Sequence, residues 1–209
     1  MTEPLPTIFV VDDDASVRKS VVRLLRSAGY RAQSFASGDE FLECWEGNPT
    51  SGCVLLDLMM PGLDGLQLQR RLQTSNHGIP IIFITGHGDI PSSVSAMKAG
   101  AVNFFPKPFN DEDLLKAVRE AIERDHLERT ERAERDAVAS RFDTLTPRER
   151  EVMALVVQGM LNKQIASALS ASEKTVKIHR GRVMEKMNVP SVADLVRAAQ
   201  KIGLGSGPT

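Results

Sequence analysis

The stretch VLLDLMMPGLDG, Val54 to Gly65, runs three apolar residues into a carboxylate and then leaves through Pro61, Gly62 and Gly65. A strand that reads as buried on both faces thus ends on Asp57, although an ionised carboxylate is costly to bury without a partner. Asp57 either caps the next element or stands at a strand tip where something cationic meets it. The sequence on both sides decides between these.

Near-continuous apolar runs at Ile8–Val11, Cys53–Leu56 and Ile81–Ile84 predict strands whose two faces are both covered, as in a parallel sheet. Weaker strands fit around Arg31–Phe35 and Val102–Pro106. Between them lie segments of helical period. Val17, Val21, Leu24, Leu25 and Ala28 form one stripe, stopped by Gly29. Ser37 with Glu40 opens a second helix as a capping box. Leu66–Leu72 and Val94–Ala99 supply two more, and Asn110 caps a fifth with the stripe Leu114, Leu115, Val118, Ala121, Ile122. Five β-α units predict an α/β fold, a doubly wound five-stranded parallel sheet, with ligand chemistry at the carboxyl ends of the strands.

At those ends stand Asp12, Asp13 and Asp14 after the first strand, Asp57 after the third, Thr85 after the fourth and Lys107 after the fifth. Clustered carboxylates without Cys or His make a hard oxygen site, suited to Mg²⁺. A carboxylate can also act as a nucleophile and form an aspartyl phosphate, with Lys107 as a point charge for a phosphoryl oxygen and Thr85 as a hydroxyl that follows it. No glycine-rich nucleotide loop accompanies them, which argues against ATP as the direct donor. Asp14 reads as a helix cap rather than a metal ligand.

VVDDD, LLDLMMPG, FITGHGD and FFPKPF, in this order, resemble the receiver domain of two-component response regulators over roughly residues 5–123. The resemblance implies that Asp57 is the phosphoacceptor. It places Mg²⁺ on Asp12, Asp13, Asp57 and the backbone carbonyl of Met59, makes Thr85 and Phe104 the switch pair, and gives Lys107 the phosphoryl oxygen. It also implies a cis Lys107–Pro108 peptide. The switch aromatic is Phe, so it lacks a hydroxyl.

After this module the chain turns polar. ERDHLERTERAERD, residues 123–136, carries the favourably ordered i,i+4 pairs Glu128–Arg132 and Glu131–Arg135. No Gly or Pro interrupts residues 110–146, so the fifth helix is expected to continue as a charged spacer. Leu127, Ala133, Ala137 and Val138 make no convincing heptad. Thr146–Pro147–Arg148–Glu149 is then a strong helix start. Asn162 is expected to cap a short helix, Ser172 a longer basic one running through Met187, and Ser191 a fourth. A short helix, a tight turn and a longer basic helix predict a helix-turn-helix, whose second helix enters the major groove.

Leu145 to Met187 resembles the LuxR-type DNA-binding domain, and with the receiver ahead of it the chain is similar to the FixJ-like branch of response regulators. The resemblance implies that Lys177 and Ile178, or their immediate neighbours, approach base edges, with Thr175 and His179 in the same DNA-binding set, while Lys163, Lys174, Arg180 and Arg182 suit phosphates better. Gly181, one turn beyond Lys177, departs from relatives that place a base-contacting lysine there. A mid-helix glycine costs about 1 kcal/mol relative to alanine. It either admits a close backbone approach to DNA or marks a position that tolerates a small residue. The expected organisation is a receiver at 1–123, a helical linker at 124–143 and a DNA-binding domain at 144–209.

Charge follows that division. Residues 1–122 hold 11 Lys/Arg against 15 Asp/Glu, whereas residues 144–209 hold 10 against 5, which marks the back third as the polyanion-binding part. The 209 residues exceed one ordinary domain, and 42% hydrophobic with 25% charged residues is a globular composition. No apolar run approaches a membrane span, and MTEPLPTIFVVDDD has no basic region ahead of its apolar run. A cytoplasmic chain is therefore expected, with Cys44 and Cys53 reduced and no disulfide. The leading expectation is a transcription regulator, not an enzyme, phosphorylated on Asp57 by a sensor histidine kinase. It would then dimerise, bind promoter DNA and meet RNA polymerase.

Two other readings compete. Asp12-Asp13-Asp14 superficially matches the start of a haloacid-dehalogenase-type phosphatase, with Asp12 as nucleophile and Asp14 as acid/base, but no cap insertion follows. Alternatively, the front module is a constitutive dimerisation platform for the DNA-binding part.

Overall fold

In a computed structural model, residues 5–47, 50–74, 78–86 and 90–204 are described. The chain divides into two compact units, Met1–Glu128 and Arg129–Thr209.

The first unit alternates strand and helix: β1 (Thr7–Val11), α1 (Ala15–Ser27), β2 (Arg31–Phe35), α2 (Gly38–Gly47), β3 (Gly52–Leu56), α3 (Gly65–Thr74), β4 (Ile81–Thr85), α4 (Ile90–Lys98), β5 (Asn103–Pro106) and the start of α5 (Asp111–Asp143). All pairings are parallel, in the order β2-β1-β3-β4-β5. The predicted doubly wound sheet is therefore present. The continuous apolar runs are explained by two buried faces. On one face Phe9, Val11, Val54, Leu56 and Phe83 join Phe41, Leu68, Leu72 and Ala96 of the second, third and fourth helices. On the other, Ile8, Val10, Cys53, Leu55, Ile82 and Ile84 join Val21 and Leu25 of α1 and Leu114, Val118 and Ala121 of α5. Successive strand residues point to opposite sides, so each apolar residue in a run has its own layer to fill.

Local signals set the ends of these elements. Asp14 caps α1, accepting from the backbone N–H of Ser16 at 2.7 Å. Asn110 Oδ1 accepts from Glu112 N and Asp113 N at the start of α5. At the foot of the sheet, Asp125 is 1% exposed. Its Oδ2 accepts from Ser51 Oγ at 2.7 Å and from Gly52 N at 2.9 Å, tying α5 to the first residue of β3. Gly52 must be glycine, because its φ is +152° and a Cβ would lie 1.8 Å from the Thr7 carbonyl oxygen.

The expected polar extension is helical, and α5 runs 33 residues without a break. No described helix is long and apolar enough to cross a membrane.

The second unit contains the end of α5 followed by α6 (Pro147–Val157), α7 (Asn162–Ala168), α8 (Glu173–Lys186) and α9 (Val192–Lys201). Its core gathers Val138, Leu145, Val152, Met153, Val156, Ile165, Val176, Val183, Met187 and Leu195. The Thr146 capping box is present. Ser172 caps α8 by accepting from Thr175 N, and Ser191 caps α9 by accepting from Asp194 N. The expected Asn162 cap is not. Leu161 holds the cap position, with extended backbone, and Gln164 Oε1 accepts its N–H at 2.8 Å. Asn162 Oδ1 instead accepts from Arg180 Nη1 at 2.9 Å, so the side chain that would cap α7 pins α8 to it.

Candidate functional site

The strand order changes direction between β1 and β3, and chemistry is expected at the carboxyl ends of these neighbours. Their register pairs Val11 with Leu56, which sets Asp12 beside Asp57, and Asp57 N donates to the Val11 carbonyl at 2.8 Å. On the other flank Lys107 N donates to the Thr85 carbonyl at 2.8 Å, bringing the end of β5 to the end of β4. The Lys107–Pro108 peptide that follows is cis. Asp12, Asp57, Thr85 and Lys107, four residues remote in sequence, thus meet on one rim.

Asp12 is 3% exposed and Asp57 6%, so both carboxylates depend on partners. Lys107 supplies one. Its Nζ lies 2.6 Å from Asp12 Oδ2 and 3.5 Å from Asp57 Oδ1. Asp12 Oδ1 also accepts from Asp14 N at 2.9 Å. Asp57 is less well served: Oδ1 is buried with no hydrogen-bond partner. Burial pushes its carboxyl above the ordinary carboxylate range, with the neighbouring Asp12 charge acting the same way, and Lys107 pulls it back. The opening question is answered by this geometry: Asp57 sits at a charged strand tip facing an ammonium group.

One carboxylate oxygen from each of Asp12, Asp13 and Asp57 falls within a 4.8 Å cluster, with Asp13 exposed at its mouth. An all-oxygen donor set with an orphaned buried Asp57 oxygen fits a hard divalent cation. Thr85 is 1% exposed at the end of β4. Phe104, on β5, is half-buried with its ring 6.3 Å from that of Phe83. The Met59 side chain is 60% exposed beside the site. Cys53, within β3, is fully buried and its thiol is pushed far up by burial, which keeps it an inert core side chain.

Two contributors were not singled out from the sequence. Arg18 of α1 reaches back so that Nη1 donates to the Asp12 carbonyl at 2.6 Å, bracing the turn that carries Asp12 and Asp13. Its spacing of one turn from the Asp14 cap was the available signal. Gly65 lies against the site, where an added Cβ would stand 2.4 Å from the Asp57 carbonyl oxygen. Sequence position alone marked it only as a turn residue.

In the second unit α8 carries Lys174, Thr175, Lys177, Ile178 and Arg182 in exposed positions, and Lys163 is exposed on α7. Thr175 is partly engaged locally, with its Oγ1 2.8 Å from Ser172 Oγ. Arg180 is half-buried and turned to Asn162, and His179 is half-buried with Nδ1 unpartnered. The structure therefore gathers Lys174, Lys177, Ile178 and Arg182 outward and draws Arg180 and His179 inward. Behind α8, Glu149 is 2% exposed and accepts from Lys186 Nζ at 2.6 Å, clasping the start of α6 to the end of α8. The Lys186 hydrogen bond and the Thr146 backbone N–H hold the Glu149 carboxyl down at about 2.

Comparison with known proteins agrees with both halves. Residues 8–119 match the response regulator receiver domain, and residues 143–199 match the bacterial regulatory proteins of the luxR family. The chain is a response regulator. The regulator is 48% identical to nodulation protein W of Bradyrhizobium diazoefficiens, over 97% of this chain and 88% of that protein. It is 41% identical to the transcriptional regulatory protein FixJ of the same organism, over 94% of this chain and 96% of that one. Among solved structures, response regulator StyR is similar with a TM-score of 0.82 and 46% identity, covering 95% of this regulator and all of that chain (100%). The regulator thus pairs a receiver with a LuxR-type DNA-binding domain, as the FixJ-like resemblance implied.

Proposed function

We propose that Asp57 is the phosphoacceptor of this regulator and that a sensor histidine kinase is its donor. The observation that carries this is the Asp57 carboxylate itself: buried, one oxygen without a hydrogen bond, 3.5 Å from Lys107 Nζ, at the tip of β3. An Asp57 carboxylate oxygen attacks phosphorus, and the donor's phosphorus–nitrogen bond breaks, leaving its histidine neutral once protonated as needed. Lys107 can follow the new charge from Asp12 onto a phosphoryl oxygen. Thr85 turns its hydroxyl to the same group, and Phe104 moves into the space this vacates. Asp12, Asp13, Asp57 and the Met59 carbonyl would hold Mg²⁺, which would supply positive charge to offset that of the carboxylates and the phosphoryl group.

The phosphoryl group can favour an active state only through contacts that differ between states, and the Thr85–Phe104 pair supplies them. The active form is a homodimer whose second units bind promoter DNA and engage RNA polymerase in the cytoplasm. Lys177 and Ile178 then serve base edges with Thr175 beside them, and Lys163, Lys174 and Arg182 serve phosphates; His179 and Arg180, half-buried and with Arg180 bonded to Asn162, back the helix instead of meeting DNA. Receiver 1–123, linker 124–143 and DNA-binding part 144–209 describe the division of labour. The chemistry ends on the protein's own side chain, so no external substrate is turned over.

Intact mass after incubation with Mg²⁺ and acetyl phosphate tests the reading. A single phosphoryl adduct is expected on the wild type, lost without Mg²⁺ and lost in Asp57→Asn. An adduct that survives in Asp57→Asn but disappears in Asp12→Asn would overturn it in favour of phosphatase-type chemistry. DNA affinity unchanged by phosphorylation would instead make the receiver a constitutive platform.

A further inference from the structure

Side chains leave α8 at about 100° intervals. Val176 and Val183, 1% and 0% exposed, mark its inner side. Diametrically outward runs the stripe Lys174, Ile178, Gly181, Glu185, every member exposed. Lys177 and Arg182, also exposed, flank that stripe on its two sides. Ile178 is an apolar side chain left 48% exposed. One turn on, Gly181 has no side chain at all.

The fold gives no reason for that glycine. Its φ lies outside the left-handed region, and a Cβ there would meet nothing within 4 Å. Gly65, by contrast, is required by a collision with the Asp57 backbone. A glycine in the interior of a 14-residue helix weakens it relative to alanine. A demand for bare backbone at 181 therefore has to come from what α8 meets on its outer side.

In the major groove, thymine alone presents an apolar group, its 5-methyl, among the polar edges. A stripe with an apolar side chain beside bare backbone has the complementary layout: the smooth centre lies toward the floor, with Lys177 beside it in reach of a neighbouring base edge and Arg182 on the other side in reach of a phosphate. We propose that Gly181 is a specificity-determining residue, whose missing side chain gives α8 the clearance to set Ile178 against a thymine 5-methyl. This rests on α8 being the groove-entering helix.

The full-length phosphorylated chain would be used to enrich duplexes from a random 20-base-pair library, and each thymine of the enriched half-site replaced singly by deoxyuridine. This keeps the pairing and removes only the methyl. One position is expected to cost wild-type binding about 4-fold, the worth of a buried methyl-sized group. Ile178→Ala should lose affinity and become indifferent to that replacement. Gly181→Ala should melt several degrees higher, showing an intact fold, yet bind the thymine duplex at least 10-fold more weakly, by analogy with the cost of overpacking a fitted surface. The deoxyuridine duplex should restore part of that loss, because the methyl that met the new Cβ is gone.

Wild-type binding indifferent to every replacement, or Gly181→Ala binding both duplexes like wild type, would overturn the inference and leave Gly181 a tolerated small residue. Failure of the underlying reading looks different. Then Lys177→Ala and Arg182→Ala would leave affinity for the enriched duplex unchanged, or no duplex would enrich, whatever the methyl does.

Discussion

At Gly65 a β-carbon would stand 2.4 Å from the Asp57 carbonyl and 3.0 Å from the Phe83 ring, so the loop that carries Asp57 is seated directly on a residue of another element. Gly65→Ala must displace backbone, which is expected to cost about 1–3 kcal/mol or more. Denaturant unfolding should show that loss, and acetyl phosphate labelling should fall further than the stability change explains. Arg18 acts on the other side, through the Asp12 carbonyl. Arg18→Ala is expected to raise the Mg²⁺ concentration needed for half-maximal labelling roughly 10-fold, as loss of a group that orients a ligand does, with Arg18→Lys partly restoring it. Asp12, Asp57, Thr85 and Lys107 were legible in the sequence because each ends an apolar run. Arg18 and Gly65 were not, because their work is a contact with backbone distant in sequence, and no local pattern records such a contact.

The elements of the second unit depend on one buried acid. Glu149 closes the α6 capping box and also accepts from Lys186 at the end of α8. Its folded carboxyl titrates at about 2, against an ordinary value of 4.5. A depressed acid stabilises the fold above its unfolded value and loses that contribution as pH falls toward the folded one. The unit should therefore lose on the order of 2–3 kcal/mol between about pH 5 and pH 2 through this group. Urea unfolding across that range should show the drop, and Glu149→Gln should flatten it while lowering stability at pH 7. The capping box was readable as a motif, whereas its tertiary partner Lys186 lies 37 residues away and was read only as part of a basic helix. Asn162 shows the converse. Its residue type favours a cap, but caps are decided by backbone geometry, and Leu161 has the extended φ of −74° and ψ of 154° that the position requires. The amide was then taken by Arg180.

At the scale of the molecule, each buried apolar cluster among the described residues belongs to one unit. Those flanking the sheet end at Ala121, and the helical one begins at Val138. Thermal unfolding is therefore expected to resolve two transitions. Leu25→Ala and Leu195→Ala, each at a position 0% exposed, should each lower one transition by about 2–5 kcal/mol and leave the other in place. A single transition displaced equally by both would contradict this. The two-part organisation was visible in the charge asymmetry and in the polar run after residue 122, since neither needs tertiary information. What no run of sequence announced is the acid at the foot of the sheet. Asp125 holds Ser51 and Gly52 where β3 begins, and Asp57 stands immediately beyond its end. Five residues of strand, about 17 Å, separate the two attachments. In mechanical terms β3 is a short rod clamped at both ends, one clamp in the acidic cluster and the other fastened to a helix, so an axial push at the tip arrives as a load on α5.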